Sequence, residues 1–300
     1  MRNDPQSPRG PEPLRLGFGT ANHPILVEVE PDAARPVAEA LFPDDRLPSP
    51  PAPAAAWPHV LRLSAEGEGY RLLAAWRRGS WTTASLRDIL IQLELTLAEL
   101  LVRNRGHVGL HAGGVVLPGV GALLFAGPGG CGKSSLTAAF ARRGHAVLGD
   151  DVVFLEDGVV HSFHRLLKVE EPARTLLDLP APTGPLAHIW PDAVFYHPGA
   201  LGSRWADPAP VAAVILPQRF ETEGDATHPP VLEAVRPAEI LPALLRSVVL
   251  VDRIGTDAFT QVSTAVAGAR CFLLRYSETA SALDVILSAL SAPGATATAG

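Results

Sequence analysis

Apolar positions recur along the chain in two spacings, one typical of helices and the other typical of strands. Between positions 86 and 101, leucine and isoleucine return every three or four residues, which predicts a long helix with one apolar face. Ser85 and Asp88 form a capping-box-like start for that helix. Segment 25–30 alternates in part, as half-buried strands do. Strand and helix patterns follow one another, and we therefore predict an α/β fold.

The same patterns place the other elements. Short apolar runs predict strands at 60–63, 70–76, 108–110, 115–117, 121–126, 146–149, 152–155, 211–216 and 271–274. Helical spacing predicts helices at 134–143, 237–249, 259–267 and 280–290. Segment 161–210 is rich in proline and histidine, and we expect it to consist mostly of loops.

Changes in composition suggest how the chain is divided. We predict a small N-terminal α+β domain over residues 1–105 and a larger domain over 106–292. Residues 1–13 hold few groups that could be buried, so we expect them to be disordered. Residues 43–58 are rich in proline and alanine and predict a surface loop. Small residues fill 293–300, which we expect to be a flexible tail.

Residues 127–134 (GPGGCGKS) fit the pattern G-x-x-x-x-G-K-[ST] of a phosphate-binding loop. Glycines let the backbone approach a ligand closely, and successive N–H groups can then surround phosphate oxygens. The predicted strand before the loop and the predicted helix after it supply the context that this motif requires. Gly144 follows as the end of that helix. We therefore predict a nucleotide site rather than a structural glycine turn.

Each position in this loop has an expected task. Lys133 can reach the outer phosphates, and the hydroxyl group of Ser134 can bind Mg²⁺. The start of a helix at Lys133 would direct its positive end at the same anion. The residues that we expect to bind the nucleotide are Gly127, Gly129, Gly130, Cys131, Gly132, Lys133, Ser134 and Ser135.

Asp150 and Asp151 end the apolar run 146–149, one helix and one strand after Lys133. A carboxylate at that place is where proteins with this loop hold their metal ion, and Mg²⁺ prefers hard oxygen ligands. The second carboxylate is then available to accept a proton from an attacking hydroxyl group. The short spacing disfavours motor and transporter ATPases, which place more structure between the two motifs. A solvated turn is the alternative reading of the pair.

His111 lies between two predicted strands and before the phosphate-binding loop. Its position alone favours a structural histidine that forms hydrogen bonds with its neighbours over a functional group.

Two basic residues follow in the loop-rich segment. We interpret Lys168 and Arg204 as exposed basic residues rather than as phosphate contacts.

Composition narrows the class of protein. The formal net charge is −6 and the arginines are scattered, which disfavours a general nucleic-acid-binding protein. The two cysteines, Cys131 and Cys271, have no framework spacing, so we predict a reducing, cytoplasmic environment. No apolar run reaches the length of a membrane helix, and we expect no membrane partner.

Three blocks together resemble the kinase domain of HPr kinase/phosphorylase. The blocks are 110–115 (LHAGGV), 127–135 (GPGGCGKSS) and 143–151 (RGHAVLGDD). The chain is more similar still to HPr-kinase-like proteins of bacterial peptide-modification clusters, including lasso-peptide gene sets. The similarity is specific over residues 107–160 and weaker over 209–217 and 271–276. It implies a P-loop kinase core of the HPr kinase/phosphoenolpyruvate carboxykinase type, and it allows a homo-oligomer.

The resemblance also implies roles for individual residues. Ser134 and Asp150 would serve the metal ion, and Lys133 would stabilise the transferring phosphoryl group. Asp151, supported by His111, would be the catalytic base, although the two aspartates could exchange roles. The family's downstream Leu-Glu-Ile-Arg-Gly signature has no counterpart, since the nearest region, 167–172, reads LKVEEP. We therefore do not extend the resemblance to phosphorylase activity or to HPr as the substrate.

From these features we predict an enzyme that uses ATP and Mg²⁺ to phosphorylate a serine-type hydroxyl group. The acceptor would be a peptide or small protein, and the resemblance favours a ribosomally made, lasso-type precursor peptide. Two alternatives stay open, a kinase of a free metabolite and a nucleotide-binding scaffold without catalysis.

Overall fold

A computed structural model describes most of the chain, in eight segments. They cover residues 12–19, 24–42, 57–75, 79–105, 108–181, 184–220, 229–249 and 255–291. Most of the predicted disordered N-terminus and proline-rich loop, and all of the predicted tail, lie outside these segments. The described residues form a mixed α/β protein, as the sequence predicted. Contacts divide the chain into two units, residues 1–101 with 184–190, and residues 102–183 with 191–300.

The first unit is built on a five-stranded sheet in the order β1-β2-β3-β4-β5. Only β2 and β3 are parallel neighbours; the other pairs are antiparallel. The strands are β1 (Leu14–Gly19), β2 (Pro24–Val29), β3 (His59–Glu66), β4 (Gly69–Ala74) and β5 (Ser80–Thr83). The helices are α1 (Arg35–Leu41), the short α5 (Leu186–Ile189) and most of the long α2 (Leu86–Arg105), which follows β5 and whose last four residues belong to the second unit.

Two local interactions explain features of this unit. The hydroxyl group of Ser85 accepts a hydrogen bond of 3.2 Å from the backbone N–H of Asp88, which confirms the predicted start of α2. In β2 the predicted alternation is broken because Glu28 is buried. Burial alone would raise the pKa of Glu28, but hydrogen bonds and charge from Arg62 and Arg15 outweigh it and lower the pKa.

The second unit contains a nine-stranded mixed sheet. Seven strands follow the order β6-β10-β11-β14-β8-β7-β9, while β16 pairs with both β14 and β15. The strands are β6 (Val108–Leu110), β7 (Ala112–Leu117), β8 (Gly121–Ala126), β9 (Ala146–Gly149), β10 (Val153–Glu156), β11 (Val159–His161), β14 (Ala209–Arg219), β15 (Val231–Val235) and β16 (Arg270–Tyr276).

Strand direction decides where the site can form. Strand β14 is parallel to both β8 and β16, while β7 is antiparallel to both β8 and β9. The carboxyl ends of β8, β9, β14 and β16 therefore meet at one edge of the sheet, together with the amino end of β7. Ligands of α/β sheets bind beyond the carboxyl ends of parallel strands.

Helices pack on both faces of this sheet. Leu124 and Val214 belong to one core, which includes residues of α6 and α7. Phe125 and Ile215 belong to a second core, with residues of α3 and α8. Alternate residues of each strand thus serve opposite faces. The helices are α3 (Lys133–Arg142), α6 (Pro237–Arg246), α7 (Thr256–Ala267) and α8 (Thr279–Ser291).

Some predicted elements were wrong in detail. Segment 161–210 is more ordered than expected, since it contains β12 (Leu167–Glu170) and β13 (Ala193–Tyr196) as an antiparallel pair, and α4 (Glu171–Leu176). Helix α6 ends at Arg246, short of the predicted residue 249. It stops because the next residues pair with β6: the N–H of Val249 donates to the carbonyl oxygen of Gly109 at 2.7 Å. No helix within the described segments is long and apolar enough to cross a membrane.

Candidate functional site

The glycine-rich loop connects β8 to α3 at the edge where the parallel strands end. Its backbone has positive φ at Gly127 (141°), Gly130 (76°) and Gly132 (104°). Residues with a Cβ atom rarely adopt these conformations, which explains the glycines. Helix α3 begins at Lys133, with Gly132 as its N-cap. The local structure therefore agrees with the strand–loop–helix context that the motif requires.

The side chain of Lys133, which lies at the end of the glycine-rich loop, is held inside that loop. It is largely buried, and Nζ donates hydrogen bonds of 2.9 Å to the carbonyl oxygens of Gly127 and Pro128. These two bonds join the end of the loop to its beginning. The ammonium group is thereby fixed next to the backbone N–H groups that could surround a phosphate.

Asp150 follows β9 and is 1% exposed. Its Oδ2 atom accepts a hydrogen bond of 3.1 Å from the backbone N–H of Lys168, whereas Oδ1 has no hydrogen-bond partner among the described residues. Burial, followed by the negative charge of Asp151, raises the pKa of Asp150 from 3.8 to about 8, although Ser134 and Lys133 act in the opposite direction. A buried carboxyl oxygen without a partner favours either a proton or a cation.

Asp151 occupies a left-handed backbone conformation, with φ at 68°. The turn before it is tight: a Cβ atom at Gly149 would lie 2.6 Å from the carbonyl oxygen of Val152. The Oδ2 atom of Asp151 forms an ion pair of 2.8 Å with Nη1 of Arg165. Burial lowers the pKa of Arg165 to about 10, so this guanidinium stays protonated at neutral pH. Sequence reasoning missed this partner of Asp151.

His111 is the residue between β6 and β7, as predicted. Its backbone N–H donates to the carbonyl oxygen of Ser247 at 2.6 Å, which anchors the start of β7. The residue is partly buried, and it lines two clefts beside the glycine-rich loop. The structure thus places His111 at the same edge of the sheet as the loop.

A cleft of about 350 Å³, which we call the phosphate cleft, brings most of the predicted site residues together. Asp150 does not line this cleft, and its side chain is buried. The lining residues are His111, Gly129, Gly130, Gly132, Lys133, Ser134, Ser135, Asp151, Lys168, Glu170, Pro172, Ala173 and Arg219. A different cleft of about 570 Å³, which His111 does not line and which we call the outer cleft, also contacts the loop. Its lining comprises Gly127, Pro128, Gly129, Gly130, Cys131, Leu216, Pro217, Gln218, Arg219, Ala243 and Arg246.

The residues present suit Mg²⁺ better than a metal caged by protein alone. The described residues contain no group of three or more histidine, cysteine or acidic side chains that could hold a metal ion. They do contain a buried carboxyl oxygen of Asp150 without a partner, close to the hydroxyl group of Ser134. Mg²⁺ in nucleotide sites takes one or two such protein ligands and completes its shell with phosphates and water. The donor set therefore fits Mg²⁺ bound together with a nucleotide.

The two basic residues Lys168 and Arg204 differ in their position relative to the clefts. Lys168 is half-buried in β12 and lines the phosphate cleft, and its backbone N–H donates to Asp150, so the prediction that it is an exposed residue was wrong. Arg204 is highly exposed, lies 3.7 Å from Asp207, and lines neither cleft. The expected exposure of Arg204 is therefore confirmed.

Cys131 is a partly buried residue of the loop. A thiol at this position would make a nucleotide site sensitive to thiol reagents if it ionised readily. Burial raises the pKa of Cys131, with Lys133 acting in the opposite direction. Because the thiolate is the reactive form, the thiol is less reactive than its place in the loop suggested.

Comparisons with protein-family models and with curated proteins find no match for this chain. The resemblance to HPr-kinase-like proteins accordingly stays a prediction from the three sequence blocks.

Proposed function

We propose that the protein is a kinase that binds ATP with Mg²⁺ at the glycine-rich loop and transfers the terminal phosphoryl group to a hydroxyl group. One observation carries the proposal: Lys133, Ser134 and Asp151 line one cleft with His111. Phosphate binding alone requires the loop and its lysine. A carboxylate facing the same cleft adds a group that can take a proton from an acceptor.

The proposed reaction assigns one task to each side chain. Asp151 accepts the proton of the acceptor hydroxyl, and the hydroxyl oxygen forms a bond to the terminal phosphorus. The bond between that phosphorus and its bridging oxygen breaks, which leaves ADP. Lys133 and the N–H groups of the loop stabilise the negative charge of the transferring group. Mg²⁺, when bound, neutralises phosphate charge.

The two aspartates differ in a way that favours one assignment of their roles. Asp150 is buried next to Ser134, which suits a metal ligand. Asp151 faces the cleft and is oriented by Arg165, which suits the proton acceptor. We place His111 as a supporting group for Asp151, on the basis of the shared cleft and the sequence resemblance.

The proposal extends to the type of fold and of acceptor. We propose that residues 106–292 form a core of the HPr kinase/phosphoenolpyruvate carboxykinase type, because the loop, the aspartate pair and His111 lie at one sheet edge. We propose a serine-type hydroxyl of a peptide or small protein as the acceptor, and this part rests on the sequence resemblance. A kinase of a free metabolite would use the same groups.

A nucleotide-binding scaffold is the second candidate, and one observation favours it. The Oδ2 atom of Asp151 lies 2.8 Å from the buried guanidinium of Arg165 and is therefore already engaged in an ion pair. An oxygen atom that is already engaged in an ion pair is less available to accept the proton of a hydroxyl group. The scaffold would bind ATP and transfer nothing.

The test is a transfer assay with ATP labelled on its terminal phosphoryl group. The acceptors are peptides encoded by neighbouring genes and a panel of small hydroxyl metabolites, followed by mass spectrometry. We expect label on a peptide hydroxyl, and loss of transfer in Lys133→Ala and Asp151→Asn. Asp157→Asn is the matched control, because Asp157 also has positive φ but lies in an exposed turn.

Three outcomes would change the proposal. Label on a metabolite would identify the small-molecule kinase instead. Binding of ATP with no transfer to any acceptor would support the scaffold. Wild-type transfer rates in Asp151→Asn would show that Asp151 is not the base.

A further inference from the structure

Arg219 and Tyr276 end two neighbouring parallel strands at the edge of the sheet that carries the glycine-rich loop. They are register partners, Arg219 at the end of β14 and Tyr276 at the end of β16. The backbone N–H of Phe220 donates to the carbonyl oxygen of Tyr276 at 3.1 Å, so the pairing continues past Arg219. Both residues are thus fixed to the sheet itself.

Tyr276 is packed directly against the loop. Its ring is fully buried, and its hydroxyl group donates a hydrogen bond of 3.4 Å to the carbonyl oxygen of Cys131. A Cβ atom at Gly132 would overlap the Tyr276 hydroxyl. The ring therefore supports the last residues of the loop before α3 begins.

The guanidinium of Arg219 lies over the ring of Tyr276. Its central carbon is 5.7 Å from the ring centroid, within the range of a cation–π interaction. The aliphatic stem passes beside the loop, since its Cδ atom is 3.8 Å from where a Cβ atom of Gly132 would be. Within the described segments, no carboxylate forms an ion pair with this guanidinium.

Arg219 lies between the phosphate cleft and the outer cleft and contributes to the lining of both. It lines the phosphate cleft with Lys133 and Ser134, and it lines the outer cleft with Cys131. Asp151 and Glu170 are the acidic residues of the phosphate cleft, and the carboxylate of Asp151 is already paired with Arg165. A partly buried cation beside a phosphate-binding loop has an anion as its natural ligand. Arginine can bind two phosphate oxygens at once.

We propose that Arg219 is a further phosphate-binding residue of the nucleotide site, and that the ring of Tyr276 orients its guanidinium toward the loop. This inference rests on the proposed function, because it requires that the loop binds a nucleotide. Arg219 directly contacts the phosphates, while Tyr276 acts as a positioning residue.

The experiment is calorimetric titration of the full-length protein with ATP and with ADP, in Mg²⁺. A charge-assisted hydrogen bond is typically strong enough that Arg219→Gln should weaken nucleotide binding by about tenfold or more. Arg219→Lys should be intermediate, since lysine keeps the charge but not the two-pronged geometry. Arg275→Gln is the matched control: Arg275 precedes Tyr276, is exposed, and lies 3.5 Å from Glu233. The control should bind nucleotide like the wild-type protein.

The role of Tyr276 is tested by two substitutions of different severity. Tyr276→Phe keeps the ring under Arg219 but removes the hydroxyl group, with its long hydrogen bond to Cys131 and its hydrogen bond with Arg219. If the ring is what orients the guanidinium, affinity should stay within roughly threefold of wild type. Tyr276→Leu should weaken binding, but much less in the background of Arg219→Gln, where there is no guanidinium to orient. An equal loss in both backgrounds would show that Tyr276 supports the loop without positioning Arg219.

Failure of the inference can be distinguished from failure of the proposed function. If the wild-type protein binds both nucleotides and folded Arg219→Gln binds them equally well, only the inference is overturned. If the wild-type protein binds neither nucleotide, the proposed function and the inference are both wrong. Circular dichroism of each variant shows whether it is folded, and Arg219→Lys provides the comparison with the smallest change of shape.

Discussion

The Nη1 atom of Arg165 lies 2.8 Å from the Oδ2 atom of Asp151, and the two side chains differ in exposure, at 7% and 30%. Arg165 belongs to the segment between β11 and β12, which is fixed to the sheet where the N–H of Phe163 donates to the carbonyl oxygen of Leu148 at 3.3 Å. A buried cation therefore holds a carboxylate that faces the phosphate cleft. The pair connects the proposed base to the protein interior.

Because Arg165 is the more buried partner, removal of the Asp151 carboxylate should be costly to stability. Asp151→Gly suits the positive φ at this position, so its effect reports mainly the lost carboxylate. We expect the free energy of unfolding to fall by about 3 kcal/mol, as when one partner of a buried ion pair is removed. Asp151→Asn should cost less, since its amide oxygen can still accept from Arg165. Urea denaturation measures both values, and an Asp151→Gly variant as stable as wild type would contradict the account.

The raised pKa of Asp150 predicts how the free energy of unfolding depends on pH. This pKa is raised by burial from 3.8 to about 8, so between these values the folded state holds a proton that the unfolded state has lost. The contribution of Asp150 to the free energy of unfolding should then fall as pH rises through this window. Above the folded-state pKa the loss is complete and the dependence ends.

The matched variant for this prediction is Asp150→Asn, which is neutral at every pH. The difference in unfolding free energy between wild type and Asp150→Asn should move in favour of the variant from about pH 4 to about pH 8. Denaturation is measured in EDTA to exclude bound cations. A difference that does not change with pH would mean that Asp150 is ionised normally in the folded protein.

Substitution of three glycines of the loop by alanine should lower the free energy of unfolding to three different extents. Gly132 has φ of 104° and is packed against Tyr276, whereas Gly130 has φ of 76° with no atom near the site of a Cβ. Gly129 has neither constraint. Alanine should therefore be tolerated at 129, cost about 1–2 kcal/mol at 130 because of its backbone conformation, and cost more at 132. Thermal or urea unfolding gives the order, and equal stability of all three variants would show that the described loop geometry is wrong.

The parts of the site that could be predicted are those encoded by short, local sequence motifs. The glycine-rich loop, its strand and its helix are encoded within a short segment, and Asp150 and Asp151 follow a clear apolar strand. The residue types in these motifs are required by backbone geometry and charge. Their positions in the structure agree with the predicted elements β8, α3 and β9.

Long-range packing explains what could not be predicted. Tyr276 contacts the loop at Cys131 across 145 residues of sequence, and no local pattern identifies such a partner. Arg165 is closer in sequence to Asp151, but it follows a segment without clear periodicity. The pair of strands β12 and β13 was missed because their four-residue runs are short and lie among prolines. Their pairing depends on tertiary contacts rather than on local propensity.

Calorimetric titration with ATP and Mg²⁺ tests most directly whether residues 127–134 bind a nucleoside triphosphate. The comparison is between the wild-type protein, Lys133→Ala and the exposed control Arg204→Ala. We predict saturable binding of one ATP per chain by wild type and the control, and a loss of about tenfold or more in Lys133→Ala, which removes a charged phosphate ligand. No binding by the wild-type protein, or equal binding by Lys133→Ala, would contradict the account.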